Sequence, residues 1–229
     1  MSVPGHGAPA SAWPVVSGAV RCDDVALPAD LTVPSGAVAA VVFAHGSGSG
    51  RLSPRNRLVA RLLQTQGLAT LLLDLLTPDE SADRMLVFDV PLLSLRLEAA
   101  AAWLRERPEA AGLPLCFFGA STGAAAALWA AADLGDEVAA VVSRGGRPDL
   151  AAERLAEVRA ATLLVVGSAD TAVLELNRSA LELLPGERSL EIVPGAGHLF
   201  EEPGALERVA ALAAGWFLAH TQRRLRWES

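Results

Sequence analysis

The sequence predicts an α/β protein, a doubly wound and mostly parallel sheet with helices on both faces. Three observations carry the prediction. Short apolar runs recur at residues 38–44, 68–73, 113–118, 138–142, 162–166 and 190–193. Runs of this length without polar alternation suit parallel strands buried on both faces. Stretches of helical period separate them, and alternating β and α units build an open sheet covered on both sides. The chain has 229 residues, 52% of them hydrophobic, enough for one such domain and its core.

The elements follow in order. Residues 1–13 are rich in Gly, Pro, Ala and Ser and are expected to form a flexible tail, with a single domain over 14–229. Segments 15–20 and 24–33 are short and turn-bounded, which predicts an antiparallel hairpin at a sheet edge. Ser53-Pro54 reads as an N-cap followed by proline in the first turn. Leu58, Val59, Leu62 and Leu63 then form an inward stripe, Arg55, Arg57, Arg61 and Gln64 face outward, and Gly67 ends the helix. A long helical segment within 81–107 should break or restart at Pro91. Further helices are expected at 150–158, 172–184 and 205–224. Only one helix fits between residues 142 and 162, so no large lid domain is inserted there.

Composition excludes several functions. A net charge of −7 and a pI near 5.1 argue against nucleic acid and polybasic membrane-binding surfaces as partners. No apolar run reaches the length of a membrane span, and the first twelve residues lack a basic start and an apolar core, so a cytoplasmic location is expected. Cys22 and Cys116 make no disulfide framework, and Cys116 reads as a small core residue. All 19 basic residues are arginine, and tyrosine is absent. Schiff-base chemistry, a phosphate-binding lysine loop and phenolic acid–base chemistry are thereby excluded.

Gly119-Ala120-Ser121-Thr122-Gly123 lies between an apolar run and an Ala-rich helical run, 124–132. Strand, G-x-S-x-G and helix is the setting of a sharp turn that presents a serine hydroxyl above the sheet edge. Glycines two before and two after the serine avoid collisions at that turn. His198, in the loop after the last apolar run, is placed to act as base. Asp170, just past a strand end, is placed to accept the imidazole N–H, and its competing reading is an N-cap for the helix that follows. Asp149 is the next candidate for that carboxylate. The amide of Thr122 is expected as one oxyanion donor, with Ser47, or else Gly48, from His45-Gly46-Ser47-Gly48-Ser49-Gly50 as the other. His45 reads as structural, holding that loop. Arg144 and Arg147 follow a buried strand and are candidates for binding a substrate carboxylate or phosphate, against the alternative of surface ion pairs. No pair of His or Cys has metal spacing, so no metal or cofactor is expected and chelators should leave activity intact. A histidine base must be neutral to take a serine proton, so activity should rise between about pH 6 and 7.

On the AHGSGSG, GASTG, GSAD and GAGHLFEEPG stretches, residues 15–220 resemble the α/β-hydrolase superfamily. The order Ser, Asp, His agrees with it. The likeness is nearest to the dienelactone-hydrolase-like branch and to hydrolases found fused with or beside phosphoribosyltransferase domains. It implies a serine esterase acting on a small-molecule ester, as monomer or homodimer, with lactone or thioester hydrolysis as alternatives. Two departures bear on substrate. The dienelactone enzymes carry Cys where this chain has Ser121, so the lactone substrate does not transfer, and these residues contain no phosphoribosyltransferase domain. Two rivals come from other classes. Gly46-x-Gly48-x-Gly50 with Asp74 could read as a dinucleotide site, but Arg51 stands where the third glycine belongs. A non-catalytic binding protein on the same fold is the second.

Overall fold

The computed structural model describes residues 13–225, with side chains described to 221, so the expected tail lies outside the described residues except for Trp13. Eight strands form one sheet in the order β1-β2-β4-β3-β5-β6-β7-β8. β1 (Val15–Cys22) and β2 (Val25–Thr32) make the expected antiparallel edge hairpin. β2 runs antiparallel to β4 (Leu68–Leu73). From β4 onward, β3 (Ala39–Ala44), β5 (Leu115–Ala120), β6 (Val138–Arg144), β7 (Ala161–Gly167) and β8 (Arg188–Val193) pair in parallel. β3 to β7 are buried at every residue, which explains their continuous apolar runs.

Two cores lie on opposite faces. α1 (Pro54–Thr65) and α7 (Ala205–Leu225) cover Val41, Phe43 and Phe118, whose two rings meet at 4.9 Å. α4 (Val90–Arg105) and α5 (Thr122–Leu134) cover Leu71, Val42 and Phe117 on the other. α6 (Thr171–Leu183) packs beside β7 and β8. Ser53 caps α1 by accepting from the Asn56 amide, and Gly67, at φ +77°, follows its end. The segment before α4 breaks into α2 (Pro78–Ala82) and α3 (Arg84–Val87). Asp89 then restarts the chain as α4 by accepting from the Leu92 amide at 3.0 Å, with Pro91 in the first turn. Arg96, almost fully buried, ties α4 to its neighbours by donating to the Cys22 carbonyl and to Glu80, both at 3.0 Å.

Two expectations are corrected. Gln64 does not face outward: it is buried and donates to the Thr70 hydroxyl at 2.7 Å. Thr70 is a polar residue inside a buried strand, and a hydroxyl there requires a partner. The helix expected at 150–158 is a 3-10 segment over Pro148–Glu157 with a non-helical residue at Ala151. Its apolar pattern buries Ala151 and Leu155, but packing against α5 decides the pitch in so short a piece. Among the described residues no helix is long and apolar enough to cross a membrane.

The winding reverses between β4 and β5, which lie on opposite sides of β3. A crevice forms at the carboxyl ends of strands at such a switch point. His45, Ser121, Arg144, Asp170 and His198 all leave strand ends on that side.

Candidate active site

Ser121 sits between β5 and α5 at φ +51° and ψ −122°. A non-glycine residue there is strained by roughly 1–3 kcal/mol. The surroundings hold it: its amide donates to the Arg144 carbonyl at 3.2 Å, and its own carbonyl accepts from Ala124 and Arg147, both at 3.1 Å. Glycine is required on both sides by close approach. A Cβ at Gly119 would overlap the Ala124 backbone, and one at Gly123 would overlap the carbonyl oxygens of Ala44 and His45. Gly46 approaches from β3, where a Cβ would meet that of Ser121 at 2.9 Å.

His198 bridges the serine and an acid. The Ser121 hydroxyl lies 3.3 Å from Nε2, and Nδ1 lies 2.7 Å from Asp170 Oδ2. With a carboxylate as acceptor, Nδ1 carries the proton and the Nε2 lone pair faces the serine. Asp170 occupies the N-cap position of α6, yet its side chain caps nothing there. The competing reading of Asp170 is thus not the contact the carboxylate makes. The histidine loop is pinned to β7: the Ala169 amide donates to the Ala196 carbonyl, and a Cβ at Gly167 would overlap that carbonyl. Asp149 is bound at both oxygens by Arg147, at 2.8 and 2.7 Å, and takes no part.

The loop after β3 turns between Gly46 and Ser49, with Gly48 at φ +67°. The Ser47 amide donates to the Thr122 hydroxyl at 3.0 Å, which brings the two expected oxyanion donors together. Ser47 lines the cavity of Ser121, whereas Gly48 lines the adjacent one. His45 holds the loop as expected: its Nε2 accepts from the Leu75 amide at 2.9 Å, and Nδ1 donates to the Gly46 carbonyl at 3.0 Å. Burial pushes the His45 pKa below the ordinary histidine value, against the smaller opposing effects of that carbonyl and of Asp74.

This shift predicts a pH dependence of stability. An unfolded histidine titrates near about 6.5, above the folded value, so the unfolded chain gains the proton first as pH falls. The neutral His45 contribution is therefore complete above that pH and is lost below it. Thermal midpoints at pH 7.5 and 5.5 should fall further for wild type than for His45→Gln. Equal falls would remove His45 as the cause.

A cavity of about 260 Å³ opens over the serine, lined by Ser47, Arg55, Ser121, Arg144, His198 and Leu199 among others. Of the two candidate arginines, Arg144 lines this cavity and Arg147 does not. Arg147 is committed to Asp149, and this pairing raises its pKa, whereas Arg144 is buried in the cavity wall. Sequence reasoning placed Arg55 on a solvent face and missed it. A cation in the first turn of a helix opposes the dipole, and that was the available signal. Asp74, the acid of the dinucleotide reading, accepts from the Arg51 amide at 2.7 Å and pairs with its guanidinium at 3.0 Å. Among the described residues no cluster of His, Cys, Asp and Glu is arranged to hold a metal ion.

A strained serine between a central parallel strand and a helix, in this eight-stranded sheet, defines an α/β-hydrolase. No family model matches the chain. A dienelactone hydrolase from Anabaena variabilis is 51% identical, with a TM-score of 0.88 over 91% of this chain and 98% of that one. The chain belongs to the dienelactone hydrolase family. Est1E from Butyrivibrio proteoclasticus, 16% identical, shares the fold with a TM-score of 0.77 over 89% of this chain and 98% of its own. A Mycobacterium tuberculosis protein described as a phosphoribosyl transferase is 58% identical over 190 residues, 83% of this chain. This chain spans 43% of that protein's length.

Proposed function

We propose that the chain is a serine hydrolase that cleaves small carboxylic esters through an acyl-enzyme. Ser121 attacks the ester carbonyl while His198 Nε2 takes its proton, and Asp170 stabilises the imidazolium. The amides of Thr122 and Ser47 receive the oxyanion. In the free enzyme the Thr122 hydroxyl engages the Ser47 amide, and the oxyanion replaces it as acceptor. His198 returns the proton to the leaving alcohol, and a water activated by the same nitrogen releases the acid. The observation that carries this reading is the single imidazole within hydrogen-bonding distance of both Ser121 and Asp170.

Size follows from the cavities. The 260 Å³ space over Ser121 shares Gly46, Ser47 and Ser49 with a second of about 280 Å³, walled by Leu76, Val87 and Leu93. Val87 comes from α3, whereas Met85 and Phe88 are exposed and line neither cavity. Two small cavities hold a short acyl chain and a short alcohol. Across p-nitrophenyl esters from acetyl to palmitoyl, kcat/KM should peak at the short end, with no jump above the substrate's solubility limit. A fluorophosphonate probe should label Ser121. Failure to label with no turnover would favour the non-catalytic binding protein.

Lactone hydrolysis is the second reading, favoured by the name of the 51% identical Anabaena protein. Including simple lactones beside the esters decides between them. A serine aligned with an imidazole suits acyl transfer and not the phosphoribosyl transfer for which the longer Mycobacterium protein is named.

A further inference from the structure

We propose that the acyl group of the substrate enters the cavity walled by Leu76, Val87 and Leu93 while the alcohol stays beside His198, and that Val87 and Leu93 set the acyl length the enzyme accepts. Preferred substrates are then esters of short, uncharged, apolar acids. The inference rests on the ester reading above. His198 returns a proton to the leaving oxygen, so that oxygen must come within roughly 3 Å of Nε2. His198 and Leu199 line the cavity over Ser121 and not its neighbour. The alcohol therefore occupies the first cavity. The oxyanion faces the amides of Ser47 and Thr122. With Ser121 Oγ, the leaving oxygen and the oxyanion placed, one direction remains at the tetrahedral carbon for the acyl chain. Ser47 lines both cavities, so a carbon held beside it has the second cavity within reach.

The walls select an apolar chain. Leu76 and Leu93 are buried, and Val87 is partly buried against the same core. Local capping fixes them in place. Asp83 starts α3 by accepting from the Met85 amide at 2.8 Å, and the Leu93 amide donates to the Asp89 carbonyl at 3.0 Å in the first turn of α4. Two polar side chains of the cavity are already engaged: both His45 nitrogens are bonded, and the Ser81 hydroxyl donates to the Thr77 carbonyl at 2.8 Å. Burial keeps His45 neutral at pH 7, so none of the described residues around this cavity carries a charge. A hydrocarbon chain loses nothing there, whereas a charged acyl group would give up its water without a partner. Each methylene that a hydrophobic pocket accepts or refuses changes kcat/KM by about 10-fold or more. Two side chains on the wall not shared with the first cavity are therefore enough to set a length limit.

The experiment measures kcat/KM by proton release for two ester series, ethyl esters from acetate to octanoate and butyrate esters from methyl to hexyl. Val87→Ala should move the acyl optimum to longer chains and raise the hexanoate-to-butyrate ratio by roughly 10-fold. Val87→Phe should move the optimum to acetate. Both should leave the alcohol profile unchanged, whereas a merely structural role for Val87 would lower every ester alike. Leu93→Ala should act as Val87→Ala does, but it opens a buried core, which makes Val87 on the partly exposed α3 the decisive position. Leu199→Ala, in the cavity of His198, should change the alcohol profile and not the acyl one. A shift of the alcohol profile in the Val87 variants would reverse the assignment, and no shift of either profile would remove the second cavity from the site, with ester hydrolysis left standing. Hydrolysis of none of the esters would count against the ester reading, and binding then tests the cavity by itself. Pentanamide should raise the thermal midpoint of the Ser121→Ala protein, and adding Val87→Phe should abolish that rise. No rise, or one that survives Val87→Phe, overturns the proposal.

Discussion

Replacing Ser121 with alanine is expected to lower kcat by about a million-fold, the scale on which a nucleophile acting with its base is lost. His198→Ala should cost nearly as much, and the double variant no more than either, because the hydroxyl and the imidazole act as one unit. Asp170→Asn should lose roughly ten-thousand-fold. The carboxylate fixes which imidazole nitrogen carries the proton, and an amide can present its own N–H to Nδ1 and reverse the tautomer. Steady-state kinetics on the best short ester, with active sites titrated, measures all four. Retention of substantial activity in Ser121→Ala would end the assignment. Near-silence of Asp170→Asn would send the search to another acid, although Asp149 is already held by Arg147 at both oxygens.

Gly123→Ala is expected to destabilise the protein by at least about 3 kcal/mol, a large fraction of the stability of an ordinary domain. Its Cβ would overlap the carbonyl oxygens of Ala44 and His45, and neither can move without disturbing the β3 end and the loop of Ser47 that follows it. Gly215→Ala is the internal comparison. It lies in α7, with nothing within 4 Å of an added Cβ, and the change should stabilise by about 0.5–1 kcal/mol. Urea unfolding of both variants reads the difference. A Gly123→Ala protein as stable as wild type would mean that the approach of β3 to the serine turn is looser than the structure has it.

Much of the frame was legible because its causes are local. Strands buried on both faces leave unbroken apolar runs, and β3 to β7 appear where those runs stand. The edge hairpin, the Ser53-Pro54 helix start and the restart at Pro91 follow from short-range backbone rules. Gln64 escaped because its reason for turning inward, the Thr70 hydroxyl, sits on the next strand. The 3-10 pitch of 148–157 escaped because periodicity reports which residues are buried, while α5 sets how tightly the segment coils.

The candidate site divides along the same line. From the sequence alone came the residue types and their order: a serine between two glycines after an apolar run, an acid past a later strand end, and a histidine in the final loop. Those are statements about backbone conformation and chain position, and neighbouring residues encode them. Only the tertiary structure decided that the Asp170 carboxylate turns to His198 instead of capping α6. It also decided that Arg147 is paired with Asp149 while Arg144 is left buried and unpaired beside Ser121, and that Arg55 joins the cavity from α1. A side chain's partner depends on which groups the fold brings within about 3 Å, and on how much water is excluded between them. Both are properties of contacts between segments far apart in the chain, and a linear pattern does not carry them.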